Sequence, residues 1–543
     1  MKKLWKALLM VHRCHPLSFW LRVVYVVLQS VLPLVNLWLL KLLIDAVSMS
    51  VGGQMPIEES MGYLLAMCGV FLLNRIVTAL NGINNDVLGQ RLIDYVSDLM
   101  QRQAARLDMQ YYDNPAFHDT MHRAQQEASF RPLRILTSFM SLGGSLISIV
   151  GVVALLAAAS WWVIVVMIVA VLPGFAVRLY KARQIYRFRR NNTQLYRRTA
   201  YYSALLMRRE YAKEMKAFRL APLFRERFVD VRKQLVGRLL SISRRLGAMD
   251  VLCGVVEAAA MFGVVGLLVS QAYGGAITLG TFVMLFEAFR RGQGYLSSLV
   301  EAIASLYDNR LFVGNLFEFL ELRPTLVAPE KPLPVPEEVS EVEFRDITFR
   351  YPDMDRDVLT HFSLVCRRGE LMRIDGRNGY GKSTLVKLLL RLYDPQGGAV
   401  LINGTDIRRF DPDALRRRVG VLFQDFVQYN CTAAENVSFG KVEGEADVAK
   451  ALSMAGADKV TQRLPYGPDT MLGRIFDGGS DLSMGQWQRI ALARALSSDA
   501  PIMIFDEPTA WLDREARQNF AQMVGRLQHD HLVIVITHSQ DFE

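Results

Sequence analysis

The stretch DGRNGYGKST, residues 375–384, decides the fold of the C-terminal part of the chain. It contains the pattern G-x-x-x-x-G-K-[ST], placed between an apolar run that predicts a strand and a run that predicts a helix. Glycines let backbone N–H groups turn towards a chain of phosphates, and the helix N-terminus adds partial positive charge. We call this stretch the phosphate loop. Its predicted nucleotide-binding residues are Gly376, Arg377, Asn378, Gly379, Tyr380, Gly381, Lys382, Ser383 and Thr384.

A pair of acidic residues in PIMIFDEPTAWLD, residues 501–513, supplies the second half of the predicted site. The apolar run at 502–505 predicts a strand, and it delivers Asp506 and Glu507 to the carboxyl end, where sheets of this type bind ligands. We expect Asp506 to hold Mg²⁺ together with Ser383, and Glu507 to polarise an attacking water. These residues predict a nucleotide with β- and γ-phosphates and Mg²⁺ as its metal ion.

The surrounding chain, from 341 to 543, has the pattern of an α/β domain with a mainly parallel sheet. VEFRDITFRY alternates like a strand, and LMRID, VGVLF, IMIF and LVIVIT are short apolar runs separated in several places by helical stretches. The segment before it, 323–340, contains five prolines and predicts an extended linker.

The chain before the linker, 1–322, is predicted to be a multi-pass helical membrane domain. Hydrophobic residues make up 51% of the whole sequence, which is high for a soluble protein. Six apolar stretches are long enough, or nearly so, to cross a bilayer, which takes about 20 helical residues. They lie near 17–46, 62–84, 134–158, 161–180, 250–272 and 281–306.

The connections between these stretches differ in charge. Segments 48–60 and 270–280 contain no Lys or Arg, whereas 181–248 contains nineteen and 85–132 contains several. The positive-inside rule places the N-terminus and the basic connections in the cytoplasm of a cell with this protein in its plasma or inner membrane. The net charge of +10 is thereby explained without nucleic acid. The basic N-terminal stretch predicts an amphipathic helix on the inner membrane surface.

Two short cross-helices are predicted in the basic connections, near 111–124 and 208–218, with solvated charged loops as the alternative. The spans themselves carry ionisable residues. Glu287, Arg290 and Arg291 share one face of span six, and Glu257 lies in span five. Because charges facing lipid are unfavourable, they either line a transport path or form a Glu–Arg pair that holds spans five and six together.

The segment DLSMGQWQRIALARAL, residues 481–496, resembles the LSGGQ signature of ATP-binding cassette (ABC) transporters, and we call it the signature segment. Other positions match the family in order. Tyr351 corresponds to the aromatic that stacks on adenine, and Gln424 to the loop glutamine that contacts Mg²⁺. Asp513 follows the Asp-Glu strand, and His538 corresponds to the switch histidine at the γ-phosphate. The six-span half resembles the exporter type of the family.

The resemblance implies a dimer of two such chains. Ser483, Gly485 and Gln486 of one chain would then face the ATP held by the phosphate loop of the other, and the cross-helices would rest on the nucleotide-binding domains. The sequence departs from the family at Met484, Tyr380 and Trp511. It also stops five residues after His538, where the resemblance leads us to expect a further strand pair and helices, so that the domain is short at its C-terminus.

The function implied is ATP-driven export by alternating access. LGRIFDGGSDLSMGQWQRIALARA and YYDNPAFHD look like exporters of lantibiotics and other ribosomal peptides, which favours a peptide or amphipathic substrate. A lipid or multidrug exporter is the alternative. A further alternative is a hydrolysis-poor arm that pairs with a related half-transporter rather than with a second copy of itself. Six spans exclude a soluble cassette ATPase.

Overall fold

The structure is a computed structural model that describes residues 2–51, 56–114, 117, 121, 131–157, 161–352, 354–376 and 381–537. The chain forms two compact units. The first, the membrane unit, comprises 1–105 and 119–322, and the second, the nucleotide unit, comprises 106–118 and 323–543. A segment of the predicted membrane domain, 106–118, therefore groups with the nucleotide unit.

The described part of the chain up to residue 320 is almost entirely helical. Long apolar runs without turn residues account for the longest helices, which exceed the roughly 20 residues needed to cross a bilayer. The helices are α1 (Lys2–Cys14), α2 (Pro16–Val51), α3 (Ile57–Arg106), α4 (Met109–Asp113), α5 (Arg131–Ala157), α6 (Trp161–Asn191), α7 (Thr193–Met207), α8 (Arg209–Ala217), α9 (Ala221–Tyr273) and α10 (Leu279–Leu320).

Four of the described helices, α2, α3, α5 and α9, are long and apolar enough to cross a membrane. The fourth and sixth predicted spans fall within α6 and α10, so a count of six stays a prediction. Large apolar side chains on these helices remain exposed, including Leu65 at 67% and Phe262 at 72%. Exposed apolar surface of this extent suits helices that are surrounded by lipid.

The membrane unit has its own apolar core where α2, α5, α9 and α10 meet. Leu37, Val152, Val264 and Phe289 lie at its centre and are almost completely buried. A second cluster joins Leu4 and Ala7 of α1 to Ile135 and Leu306. The N-terminal stretch is thus a helix, as its pattern predicts, with one apolar face packed on the membrane unit.

The ionisable residues of predicted spans five and six lie on two helices: Glu257 is on α9, and Glu287, Arg290 and Arg291 are on α10. Glu287 pairs with Arg290 at 2.8 Å and with Arg291 at 3.6 Å, and all three lie on α10. Arg291 also donates to the Pro33 carbonyl of α2 at 3.3 Å. The carboxylate of Glu257 lies against Gly174 of α6. Glu287 thus has its arginines three and four residues along its own helix, and a Glu–Arg pair that holds spans five and six together stays a prediction.

The nucleotide unit contains two four-stranded sheets among its described residues. The first is antiparallel, in the order β2-β1-β4-β5, and the second is parallel, in the order β3-β8-β7-β6. The strands are β1 (Glu341–Phe349), β2 (Leu359–Arg367), β3 (Leu371–Ile374), β4 (Gly397–Ile402), β5 (Thr405–Asp406), β6 (Val419–Leu422), β7 (Ile502–Asp506) and β8 (Leu532–Ile536).

Helices cover the parallel sheet, and β7 and β8 are buried along their whole length. A strand buried on both faces reads as a continuous apolar run, as IMIF and LVIVI do. The α-helices of this unit after the linker are α11 (Lys382–Leu389), α12 (Pro412–Arg416), α13 (Ala433–Ser438), α14 (Val448–Met454), α15 (Asp458–Thr461), α16 (Met484–Ser497) and α17 (Arg514–Leu527).

Polar contacts join Asp108 and Asp113 to the rest of the nucleotide unit. Asp108 Oδ2 accepts hydrogen bonds from the backbone N–H of Thr325 at 2.5 Å and of Leu326 at 3.1 Å. Tyr393 donates its hydroxyl to Asp113 at the end of α4. Burial and this hydrogen bond raise the pKa of Tyr393. The first cross-helix is predicted near 111–124, where α4 covers the start and most of 115–124 lies outside the described residues. The second is predicted near 208–218, which contains α8, and a role for either as a cross-helix stays a prediction.

Candidate nucleotide-binding site

The predicted site residues meet at the carboxyl edge of the parallel sheet. Ile374 of β3 pairs with Ile536 of β8, and Asp506 of β7 pairs with the same Ile536. Leu422 of β6 pairs with Phe505 of β7. This register brings three strand ends to one edge of the sheet: the end of β3, which leads into the phosphate loop, the end of β7 at Asp506, and the end of β6, two residues before Gln424. Residues that are about 40 to 130 positions apart in the sequence thereby follow strand ends at the same edge.

The described ends of the phosphate loop have the conformation that a phosphate site needs. Gly381 caps α11 with a φ of +79°, in the left-handed region that favours glycine. A Cβ there would lie 2.8 Å from Leu359. Lys382 Nζ donates to the Gly376 carbonyl at 2.6 Å, so the lysine folds back along the loop. Arg377, Asn378, Gly379 and Tyr380 lie outside the described residues.

Asp506 is a buried carboxylate, 3% exposed, which accepts a hydrogen bond from the Ser383 hydroxyl. Burial raises the pKa of Asp506; the Glu507 carboxylate adds to the rise, and Ser383 and Lys382 oppose it. Within the described residues its Oδ1 has no hydrogen-bond partner. A buried carboxylate oxygen and a serine hydroxyl beside it are oxygen ligands of the kind that Mg²⁺ prefers. The residues present therefore fit this ion.

Glu507 has a backbone conformation that is unusual for a residue with a side chain. Its φ is +50°, and a non-glycine residue in this region is strained by about 1–3 kcal/mol. Gln488 of α16 holds the turn that follows. Its Nε2 donates to the Glu507 carbonyl at 3.2 Å, and its Oε1 accepts from the Trp511 N–H at 3.1 Å. The buried amide of Gln488 thus positions the loop that carries Glu507.

Gln488 was missed by the sequence analysis, although it stands inside the signature segment. The feature that could have identified it is its position: Gln488 is the second glutamine of GQWQ, a polar residue on the apolar side of a helix. Gln488 is 3% exposed, and a buried amide of this kind needs partners for both its oxygen and its nitrogen. The sequence shows that such partners must exist but does not identify them.

The signature segment begins α16 with a reciprocal cap. The Ser483 hydroxyl accepts from the Gln486 N–H at 3.3 Å, and the Gln486 side chain accepts from the Ser483 N–H at 2.8 Å. Gly485 lies against the loop after Glu507, since a Cβ there would come within 2.6 Å of the Trp511 carbonyl. Met484 points outward and its sulfur accepts from Gln428. A groove of about 820 Å³ runs beside this segment.

Tyr351 lies beside the helix that begins at the phosphate loop. Its hydroxyl is 3.1 Å from Thr384 Oγ1, and its ring meets Phe349 and Tyr393 edge-on, with centroids 4.9 and 5.3 Å apart. Lys387 Nζ lies 5.2 Å from the ring centroid. The position suits a residue beside a bound nucleotide, and stacking on adenine stays a prediction.

Of two further residues predicted at the site, the structure describes Asp513 but not His538. Asp513 caps α17 by accepting from the Ala516 N–H at 2.8 Å, and it pairs with Arg489 at 3.3 Å. Its observed contacts are therefore those of a structural residue at the edge of the signature groove. His538 lies outside the described residues. Its neighbour Thr537 follows β8 directly and donates its N–H to the Ile374 carbonyl at 3.4 Å.

A phosphate loop followed by an Asp-Glu strand, on a parallel sheet joined to a helical membrane unit, defines a class of membrane-bound ATPase. Residues 359–510 match the family model described as ABC transporter. The whole chain resembles the structure of a bacterial Atm1-family ABC exporter with ATP bound. The TM-score is 0.75 at 22% identity, over 95% of this chain and 91% of the other.

Two relatives that match along most of their length are named as transport ATP-binding proteins for subtilin and nisin. The chain is 26% identical to the subtilin transport ATP-binding protein SpaT of Bacillus subtilis, over 94% of this chain and 83% of the relative. It is 26% identical to the nisin transport ATP-binding protein NisT of Lactococcus lactis, over 86% and 79%. An ATP-dependent lipid A-core flippase of Syntrophus aciditrophicus is 34% identical over 49% of this chain and 44% of its own length. The chain therefore contains an ATP-binding ABC transporter domain joined to a membrane unit with the exporter fold.

Proposed function

We propose that the chain hydrolyses ATP to export a peptide across the cell membrane, by alternating access of a homodimer. The observation that supports the proposal is the register of the parallel sheet, in which Ile374, at the end of the strand before the phosphate loop, and Asp506 both pair with Ile536. ATP binding then joins two nucleotide units and hydrolysis releases them. This cycle moves a membrane unit only if the joined state favours one of its conformations.

The chemistry assigned to the site is phosphoryl transfer to water. Ser383, Gln424 and Asp506 would hold Mg²⁺, which neutralises charge on the phosphates. Lys382 would move from the Gly376 carbonyl to the terminal phosphates. Glu507 would orient the attacking water, and His538 would contact the γ-phosphate. The strained backbone of Glu507, held by Gln488, would fix the position of its carboxylate before the substrate arrives.

The dimer is supported by what surrounds the signature segment. Met484, Trp511 and Ile475 are 42, 57 and 74% exposed, and exposed apolar side chains of this size mark interaction surfaces. In the proposed dimer they lie at the seam, and Ser483, Gly485 and Gln486 face the phosphate loop of the second copy. A related half-transporter could occupy the same place, but Glu507 and Gln424 are both present here, as a self-sufficient ATPase requires.

The orientation is proposed from charge. The basic connections, which contain α7 and α8, lie in the cytoplasm together with the N-terminus and the nucleotide unit. The contacts of Asp108 and Asp113 support a role for 106–118 in transmitting nucleotide-driven movement. Export, rather than import, follows from the exporter fold.

A peptide substrate is supported by the two relatives that match along most of their length. The lipid A-core flippase match extends over only about half of either chain, so it bears less on the membrane unit. The test is ATP-dependent accumulation inside sealed liposomes that carry the protein with its nucleotide units outward. A panel of hydrophobic peptides is compared with fluorescent phospholipids, beside Glu507→Gln. Accumulation of peptides by the parent alone is expected, whereas flipping of phospholipid without peptide uptake would contradict the peptide assignment.

A further inference from the structure

Arg22 is a buried cation inside the membrane unit. It lies near the cytoplasmic start of the first predicted span and is 7% exposed. Its Nη1 donates to the Asn85 side chain of α3. Among the described residues its Nε has no hydrogen-bond partner, and Arg22 forms no ion pair with any of them. An uncompensated charge at such a position is unfavourable by several kcal/mol, which marks it as a candidate functional residue.

Arg22 lines a cavity of about 290 Å³, whose other lining residues lie on α2, α3, α5 and α10. The wall carries the hydroxyls of Ser141, Ser145, Ser148 and Ser298. Polar side chains from four helices converge on this space, within helices that are otherwise strongly apolar. The positions near the predicted cytoplasmic ends of the spans put the cavity within reach of a molecule entering from the cytoplasm or the inner leaflet.

A hydrogen-bond acceptor stands near the cation. Asn81 Nδ2 donates to Gln29 at 2.9 Å, while its Oδ1 is buried without a hydrogen-bond partner in the described part of the chain. Asn81 and Asn85 are four residues apart on α3, about 6 Å along the axis at 1.5 Å per residue. Arg22 and Asn81 both line the cavity, and each has a buried polar atom, Nε and Oδ1, without a hydrogen-bond partner among the described residues.

This pair of features matches the end of a peptide. A guanidinium whose Nε has no partner can bind a carboxylate bidentately, and the Asn81 oxygen can accept the amide N–H of the last peptide bond. Val26, Met140 and Tyr295 give the cavity apolar surface for a side chain. The volume lies near the lower end of ligand pockets, about 300–1,000 Å³, and suits a terminal residue or two.

We propose that this cavity binds the C-terminal carboxylate of the exported peptide, through Arg22 and Asn81. The proposal rests on the proposed function and assigns its substrate a free carboxyl terminus. A phospholipid phosphate would also engage Arg22, but a carboxylate next to an N–H uses both the donor edge and the acceptor.

The probe is dansyl-leucyl-leucine, compared with its C-terminal amide. Binding is followed by dansyl fluorescence, with the protein in phosphatidylcholine nanodiscs without nucleotide. The parent protein is expected to bind the acid about tenfold more tightly than the amide, as one charge-assisted bidentate contact provides. Arg22→Gln should bring the ratio to about one, and Arg22→Lys should retain part of it. Arg13→Gln, an equal charge change at an exposed position of α1, should leave the ratio unchanged.

Three results would overturn the proposal. One is equal binding of acid and amide by the parent, and another is an unchanged ratio in Arg22→Gln. The third is loss of the acid preference when phosphatidylglycerol replaces part of the phosphatidylcholine, which would assign the cavity to a lipid phosphate. ATP hydrolysis measured on the same samples separates the two claims. Hydrolysis without discrimination defeats only the carboxylate site, and discrimination without hydrolysis defeats only the proposed ATPase.

Discussion

Asp506 in the nucleotide unit and Arg22 in the membrane unit are alike in burial and differ in context. Each is at least 93% buried, and each has a charged-group atom without a hydrogen-bond partner among the described residues. Asp506 stands in a recognisable motif at the end of a strand, beside Ser383 and Lys382. Arg22 stands in a long apolar helix, with its neighbours supplied by three other helices. A site built on strand ends is visible in sequence, and a site assembled between helices is not.

The largest expected effect concerns Asp506. Asp506→Asn should lower ATP hydrolysis by about hundredfold or more, since it replaces a carboxylate ligand by a neutral amide where Mg²⁺ and phosphates meet. Without nucleotide the variant should melt at the same temperature or higher, because burial of the charge opposes folding. Phosphate release and thermal unfolding are measured beside Asp530→Asn, an exposed carboxylate. Lower stability together with retained hydrolysis would show that Asp506 is only structural.

The next effect concerns the residue that the sequence analysis missed. Gln488→Ala should lower kcat by about tenfold or more, because the strained turn at Glu507 loses its support and a small misplacement of a catalytic group is enough for such a loss. The apparent affinity for ATP should change little. The matched control is Gln518→Ala, at an exposed position of α17. If kcat remained within a factor of two, the two hydrogen bonds of the Gln488 side chain would have no part in positioning Glu507.

A third prediction extends the comparison to the membrane unit. Asn85→Leu removes the single described partner of Arg22 and should destabilise the unit, since leaving a buried polar group unpaired is unfavourable by about 1–3 kcal/mol. The double variant Arg22→Gln with Asn85→Leu should recover the lost melting temperature, as followed by tryptophan fluorescence in detergent. Equal melting of the single and double variants would mean that the charge of Arg22 is not the origin of the effect.

The smallest expected effect concerns the contact of Tyr393 with Asp113. Tyr393→Phe should lower the free energy of unfolding of the nucleotide unit by about 1 kcal/mol, the usual contribution of one hydrogen bond. Denaturant unfolding is compared with Tyr466→Phe, which changes an exposed tyrosine. A loss no greater than that of the control would show that the 106–118 segment is not held by this bond.

The comparison of Asp506 with Arg22 also explains how much of the structure could be predicted from the sequence. The four parallel strands correspond to the four apolar runs identified in the sequence, because β-rich runs of four to six residues predict buried strands. The antiparallel sheet was only partly anticipated, since just one of its strands has a clear alternation. Glu287 shows the limit for helices. Its spacing to Arg290 and Arg291 is evident, but spacing alone does not distinguish a pair within one helix from a pair between helices.

The most direct test of the account is ATP hydrolysis by the purified chain in lipid, with no other protein added, beside Glu507→Gln and Glu515→Gln. Glu515 lies exposed on α17, which makes it the matched control. The account predicts hydrolysis by the parent and by Glu515→Gln, and a loss of about 10²–10⁴-fold in Glu507→Gln, the contribution of general base catalysis. Absence of hydrolysis in a well-folded parent, or equal rates in all three, would contradict it.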